Sequence, residues 1–438
     1  MTPDGALAAF FSQHYAFADK HLTVGFSGGL DSSVLLHALL AMRARLGCEI
    51  EAVHVHHGLS VHADEWAAHC RTVCQHVQVP LQVIRVQVRQ HGQGLEAAAR
   101  LARYRVFAGL HTDAVVLAHH RDDQSETVLL QMLRGGSVKA MAAMPAVRAL
   151  TDTIQLLRPL LAIPRSALET YARMQALSWV EDESNHHLGL TRNRLRHRVL
   201  PVLDAEMPGT SQRLSVLAEQ CAEWSELLDA LALADGAEEA AQQGLSRAVL
   251  QALPEVRARN LLRRVLELRG VNVRRDALRE LLRQLRGVVG PQQIRVDFGE
   301  WSALCFREKL HVVRRTYLQM PPALSLPWRG EPLLDLGPGG QVHFSFSMSA
   351  QGAIRLPLTV GRLRYRQVGD RFRFTQGQAP RALKDWLREA EVPYWLRPWL
   401  PVLEVDGQIA WVAGLGVAAE FRPEPGVPAW IISWQPPV

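Results

Sequence analysis

Near the start of the chain, short apolar runs alternate with longer stretches whose apolar residues recur every three or four positions. The runs LTVGF (22–26), EIEAVHV (49–55), LQVIRV (81–86) and DAVVLA (113–118) are rich in β-branched residues and predict strands. The stretches 31–46, 62–78 and 95–110 carry helical patterns. Such alternation predicts βαβ units around a parallel sheet, whose ligand crevice lies beyond the carboxyl ends of its strands. Chemistry-bearing residues gather at those ends. Gly28 and Gly29 follow the first run, His54 to Gly58 surround the second, and His119 to Glu126 follow the fourth.

The pattern changes near residue 206. Leu214, Leu217, Cys221, Trp224, Leu228 and Leu231 recur at steps of three and four, the stripe of an amphipathic helix, and helical pattern continues through 286. From about 290 the apolar residues alternate, as in IRVDFGEWSALCF, and strands are expected. Prolines crowd 321–338, which reads as a linker. In the last segment, LEVDGQIAWVAG sets Asp406-Gly407 between two alternating runs, a hairpin signal, and RALKDWLREAEVP (381–393) reads as a short helix stopped by Pro393. The expected organisation is an N-terminal parallel-sheet, Rossmann-like α/β domain over 1–205, a mainly helical basic domain over 206–335, and a small α+β domain over 350–438.

Composition narrows the class. At 438 residues with 48% hydrophobic and 21% charged positions, the chain is globular and long enough for two or three cores. No apolar run reaches the ~18 residues of a membrane span. The start, MTPDGALAAF, carries Asp4 and lacks a basic region, so it does not read as a secretion signal. Five cysteines, an odd number, argue against a disulfide framework and for a reducing cytoplasm. The net charge of +6 suggests a polyanionic partner, and arginine crowds 257–286, although a solvated helical face explains that stretch equally well.

The stretch TVGFSGGLDSSVLL (23–36) places two glycines between the first strand and a helix start. A helix N-terminus offers unpaired N–H groups and a partial positive charge, and glycines let the backbone close on phosphate oxygens. Ser27, Ser32 and Ser33 add hydroxyls; no lysine follows, so amides and a metal ion are left to neutralise the anion. Asp31, acidic beside an anion, fits a Mg²⁺ ligand.

SGGLDS (27–32) resembles the signature of the PP-loop ATP pyrophosphatases, which cleave ATP between its α and β phosphates. VHVHHGLS (53–60), GLEAAARLARYRVF (94–107), LAHHRDDQSETVLLQMLRGG (117–136), RPLL (158–161), WVEDESN (179–185) and TRNRLRHRVLP (191–201) resemble, in order and spacing, the tRNA(Ile)-lysidine synthetase family. VGDRF (368–372) and LKDWLREAEVPYWLRPWLPVL (383–403) resemble that family's C-terminal domain less tightly.

The resemblance implies an ATP-dependent ligase. Its ATP adenylates the C2 oxygen of the wobble cytidine in a CAU-anticodon isoleucine tRNA, and free lysine then displaces AMP. It implies ATP contacts at Ser27, Gly28, Gly29, Leu30, Asp31, Ser32, His54 and His57, with Asp31, Asp123, Glu126 and Arg192 catalytic. Asp123 and Glu126, three apart on one helical face, would hold the lysine, with Arg100 on its carboxylate and Arg103 the alternative. Asn185, Asn193, Arg196, Arg371, Lys384 and Arg388 would contact tRNA. The ε-amine arrives protonated, and one of the acids or a phosphate oxygen must take its proton. A helix-capping role fits Asp122 better than Asp123.

Competing readings remain at this level. The histidines lack cysteines in a zinc-ligand pattern, and Cys70 and Cys74, four apart, read as core. Trp386, Trp395 and Trp399 either stack on bases or pack in a small core. A tRNA thiolase of the same superfamily would need a reactive cysteine arrangement that Cys48, Cys70 and Cys74 do not offer. An RNA-binding adaptor on an ATP-fold scaffold would have no use for Asp31, Asp123 and Glu126. The oligomeric state, monomer or homodimer, is not readable from the sequence.

Overall fold

The computed structural model describes residues 2–14, 20–88, 95–183, 191–271, 273–287, 294–347, 352–355, 361–424, 427 and 429–436. The chain forms two compact units, Met1–Leu228 and Asp229–Val438.

In the first unit the elements run α1 (Pro3–Gln13), β1 (His21–Gly25), α2 (Leu30–Leu46), β2 (Glu49–His56), α3 (Ala63–His76), β3 (Leu81–Arg85), α4 (Leu95–Ala108) and β4 (Ala114–Val116). They continue with α5 (Arg121–Leu133), α6 (Val138–Met141), β5 (Val147–Ala149), β6 (Gln155–Leu157), α7 (Arg165–Met174) and α8 (Thr191–Arg194). A π-helical turn (Leu195–Val199) and α9 (Leu200–Glu206) follow. The four strands expected from the apolar runs are present, and they are parallel. The sheet order is β3-β2-β1-β4-β6-β5, with only the edge strand β5 antiparallel. Leu22, Thr23 and Val24 of β1 are all buried, as a strand covered on both faces requires. Leu35 and Leu39 of α2 join Leu157, Leu160, Ile163 and Leu168 in the same core.

This strand order fixes where a ligand goes. From β1 the chain moves outward to β2 and β3, then returns to the other side of β1 with β4. The carboxyl ends of β1 and β4 therefore flank the topological switch point, where such sheets open a crevice. Gly28–Gly29 leaves the first of these ends and His119–Glu126 the second.

The second unit contains helices Ala237–Gln243, Arg247–Ala252, Glu255–Leu268 and Arg275–Arg286 and an antiparallel sheet containing 295–298, 301–306 and 309–314, the strands expected from the alternation. The hairpin at Asp406-Gly407 joins Pro401–Val405 to Gln408–Val412, and both turn residues have positive φ (49° and 75°), which its tight two-residue turn demands. The short helix ends earlier than Pro393, spanning Leu383–Glu389.

One expectation changes, and one alternative is decided. The proline-rich stretch 321–338 is not a free linker, because it contributes strands Leu326–Trp328 and Leu333–Asp335. Trp328 stacks on Phe344 at 4.7 Å inside the core; proline is compatible with short edge strands, so its density did not mean an unfolded connection. Trp395 and Trp399 are core residues, each 3% exposed, and Trp399 meets Tyr317 and Tyr365 edge-on. The indole N–H of Trp386 donates to the Phe372 carbonyl.

Candidate active site

The two glycines after β1 differ physically. Gly28 has φ +82°, and a Cβ there would sit 2.8 Å from the Cys70 Sγ, so the chain's own packing demands glycine. Gly29 caps α2 with an ordinary φ of −77°. A Cβ on it would meet nothing closer than Ser27 Oγ at 3.5 Å and the Val180 carbonyl at 3.8 Å. Nothing inside the protein requires that position to be bare; an anion closing on the amides would. Ser32 Oγ lies 3.0 Å from both the Gly29 carbonyl oxygen and Ser27 Oγ, and Ser27 Oγ accepts from the Gly29 N–H. No side chain caps the first turn of α2, which leaves its N–H groups for a ligand.

This difference yields an expected result. Gly29→Ala should melt like the parent protein yet raise the KM for ATP at least ~10-fold, about 1.4 kcal/mol of phosphate contact. Gly28→Ala should lower the melting temperature itself, since a non-glycine residue at left-handed φ costs about 1–2 kcal/mol before the sulfur clash is added. An unchanged KM in Gly29→Ala would remove the phosphate from this cradle.

Across the crevice, α5 begins at Arg121. The expected cap assignment is reversed: Asp123 Oδ2 accepts from the His120 N–H at 3.1 Å, while Asp122 Oδ2 accepts from the Arg165 N–H at 2.9 Å and so ties α5 to α7. The cap fell to Asp123 because the third helical position reaches back to the capping residue. His120, 1% exposed, lies within 3.7 Å of Asp31, 3.5 Å of Asp122 and 3.5 Å of Asp123. Burial alone would lower its pKa; Asp123, Asp122 and Asp31 outweigh burial and hold it up at about 10. One buried imidazolium thus joins the first turn of α2 to the first turn of α5.

The acid pair is already engaged. Arg192 Nε donates to Glu126 Oε2 at 2.6 Å and Arg196 Nε to Glu126 Oε1 at 2.5 Å. Both guanidinium groups also donate to Asp123 Oδ1, at 3.1 and 3.0 Å. Two acids three apart on α5 therefore meet two arginines four apart across α8 and the π-helical turn. The Glu126 side chain is fully buried, while the arginines stay about a quarter exposed, at 26% and 27%. Burial would raise the Asp123 pKa, but His120, Arg192 and Arg196 hold it well below the ordinary carboxylate range.

The other expected site residues fall into distinct settings. Leu30 is the first, buried residue of α2. The His54 ring nitrogen Nδ1 is 3.0 Å from the Phe26 carbonyl oxygen, which commits it to the framework beneath the cradle. His57 has a buried Nδ1 without a hydrogen-bond partner, and burial followed by Arg103 pushes its pKa down to about 4. Arg100 is exposed and donates to the Tyr104 hydroxyl. Asn193 is buried, and Arg196 faces the acids. Asn185 lies outside the described residues. In the second unit Arg371, Lys384 and Arg388 are exposed. Much of the arginine-dense stretch is internally neutralised: Arg257 pairs with Asp235, Arg263 and Arg264 with Asp229 and Glu267, and Arg283 with Glu280. Arg274, Arg275 and Arg279 carry no ion pair among the described residues.

Sequence reasoning passed over His120 as a charge bridge and Arg165, whose Nε is 3.9 Å from Asp31 Oδ1. A histidine directly before the acids of a helix start is the one local signal for the first. Among the described residues no group of three or more His, Cys, Asp or Glu side chains could hold a metal by itself. Cys70 and Cys74 are buried free thiols pushed up, chiefly by burial, to about 12 and about 11.

A parallel sheet whose first strand opens on a glycine-serine cradle, with acids at the adjacent strand end, defines an ATP-using PP-loop protein, and the family model for the PP-loop domain matches residues 5–203. Models described as the TilS substrate binding domain and the TilS substrate C-terminal domain match residues 245–311 and 362–434. The chain is 38% identical over 432 residues to a tRNA(Ile)-lysidine synthase of Nitrosomonas europaea, covering 95% of this chain and 92% of that one. It is 40% identical over 421 residues to one from an Azoarcus species, covering 94% and 92%. The chain belongs to the tRNA(Ile)-lysidine synthase family.

Proposed function

We propose that this protein uses ATP to join free lysine to C2 of the wobble cytidine in the CAU anticodon of isoleucine tRNA, forming lysidine in the cytoplasm. The observation that carries the reading is His120, one imidazole bridging the Asp31 end of the phosphate cradle and Asp123 of the acid pair. A triphosphate on the cradle would lie next to groups able to take an ammonium. In this reading the C2 oxygen displaces pyrophosphate from the α-phosphorus, and the lysine ε-amine then displaces AMP from C2.

The chain's own residues have defined parts. The amides of Leu30 and Asp31 and the hydroxyls of Ser27 and Ser32 hold the phosphates, with Gly28 shaping the turn, Gly29 leaving room for the anion and His57 beside it. Asp123 and Glu126 take the lysine ammonium by exchanging it for Arg192 and Arg196, one set of charge-assisted bonds for another. The exchange frees two guanidinium forks for phosphate oxygens. Asp123, held far below the ordinary carboxylate range, is a poor acceptor for the amine's proton. Asp31 fits a Mg²⁺ ligand, because its Oδ1 is buried without a hydrogen-bond partner and this ion takes one or two carboxylates plus substrate phosphates. Bound there, Mg²⁺ would supply charge neutralisation on the triphosphate.

We assign tRNA binding to a mainly helical basic part over 206–335, including Arg274, Arg275 and Arg279, and to Arg371, Lys384 and Arg388 in the part over 350–438. The thiolase reading loses its nucleophile, since thiols with pKa values of about 12 and about 11 stay protonated near neutrality.

The test is incubation of the full chain with ATP, Mg²⁺, labelled lysine and tRNA transcripts. Label is expected in the CAU isoleucine tRNA and not in the methionine tRNA with the same triplet. Pyrophosphate released without lysine incorporation would overturn the reading.

A further inference from the structure

The hairpin that joins Trp301–Phe306 to Lys309–Arg314 turns on Arg307 and Glu308, both exposed and both at positive φ, +49° and +60°. A two-residue turn of this kind is built most easily from Asn-Gly or Asp-Gly, as at Asp406-Gly407. A residue with a Cβ is strained at such a φ, and the strain persists where its surroundings hold it. Here each side chain is held by a different part of the chain. Glu308 Oε2 accepts from Arg247 Nη1 at 2.9 Å, and the Glu308 carbonyl accepts from the Arg247 N–H at 2.9 Å. Arg247 is 7% exposed, and its Nε and Nη2 donate to the carbonyls of Leu285 and Gly287 at 3.0 and 3.2 Å. Those carbonyls lie at the end of the helix Arg275–Arg286, which carries Arg275 and Arg279. Arg307 goes elsewhere: it pairs with Glu391, and its Nη2 is 3.5 Å from the Arg388 carbonyl oxygen.

The strands behind this turn serve two cores. Ala303, Leu310 and Val312 join Leu261, Leu278 and Leu282 of the helices, whereas Leu304 joins Trp395, Trp399 and Leu403 of the C-terminal part. Alternation of side chains across a strand makes this double use possible. On the second face the Phe306 ring centre is 5.7 Å from that of Trp395 and 6.4 Å from that of Tyr394, and His311 is 5.4 Å from Trp395. The exposed charges of the turn therefore lie next to a packed apolar seam and do not form an isolated surface pair.

We propose that Arg307 and Glu308 are positioning residues for the tRNA: their turn clasps the helical part to the C-terminal part, so that Arg275 and Arg279 on one and Arg388 on the other meet the phosphate backbone at a fixed spacing. The inference rests on the assignment of tRNA binding to both parts and adds the element that sets them relative to each other. Apparent affinity falls with the fraction of molecules in the competent arrangement, so a clasp that holds this arrangement before binding strengthens binding without touching the ligand. Bound tRNA imposes the same arrangement by itself. The clasp therefore acts on the KM for tRNA and leaves kcat alone.

The test measures lysine incorporation into isoleucine tRNA transcript by the full-length protein, together with hydrogen exchange of the backbone amides in 383–397. Arg307→Ala should raise the KM for tRNA roughly three- to fivefold, the range of a partly exposed ion pair, with kcat and the KM values for ATP and lysine as in the parent. Arg307→Glu, which sets two carboxylates together, should raise it at least ~10-fold, and adding Glu391→Arg should restore most of the loss. Amide exchange in 383–397 should quicken in Arg307→Ala and slow again in the exchanged pair. Glu391→Gln separates the clasp from a direct phosphate contact: loss of the clasp raises the KM for tRNA, whereas an arginine freed to meet phosphate lowers it. A lower KM in Glu391→Gln, or an unchanged KM in both Arg307 variants whatever their melting temperature, would overturn the positioning role. Should Arg307→Glu not fold, Glu391→Gln decides alone. A parent protein that joins no lysine to tRNA would instead overturn the proposed function.

Discussion

Glu126→Gln should lower kcat/KM for lysine about a thousandfold, the ~4 kcal/mol expected when one partner of a buried charge pair is removed, while ATP still binds. The amide keeps the shape of the carboxylate but cannot carry the charge that an ammonium needs. Glu126 is fully buried and holds the Nε groups of both Arg192 and Arg196. Some stability will therefore go as well. The loss is expected to stay near 1–2 kcal/mol, since the arginines are partly exposed and retain Asp123. Labelled-lysine incorporation, ATP-protected melting and the melting temperature of the free protein separate these effects. Incorporation at the parent rate would remove Glu126 from the lysine site.

Asp31→Asn should cut tRNA-dependent pyrophosphate release by roughly 10²- to 10³-fold, the scale on which a preorganised electrostatic group acts in the transition state. The first turn of α2 should survive, because Gly29 and Ser32 still close it and His120 keeps Asp122 and Asp123. The melting temperature is accordingly expected to move little. Measuring release against Mg²⁺ concentration adds a second readout: the parent should saturate, and the variant should respond weakly. A rate and Mg²⁺ response equal to the parent's would take Asp31 out of the site.

These expectations join residues that no local pattern connects. Glu126 and Arg192 are 66 positions apart, and Asp123 and Arg196 are 73. An acid three residues from another acid looks the same in the sequence whether it waits for an ammonium or already holds an arginine. The motif stretches could supply both members of each pair but not their contact. The same holds for Arg307: nothing near it announces its reach to the Arg388 carbonyl, 81 positions later. Strands β5 and β6, three residues each, are too short for alternation to register.

What the amino-acid order determined by itself was local. The β-branched runs became β1 to β4, Asp406-Gly407 became a hairpin turn, and the glycine pair fell at a helix start, because each depends on neighbours within a few residues. The order of strands in the sheet, the pairing of Asp123 and Glu126 with Arg192 and Arg196, and the engagement of Arg307 with Glu391 were decided only by tertiary structure. Charges act through space with whatever the fold sets beside them, and burial, which sets the strength of those interactions, belongs to the folded chain and not to any segment of it.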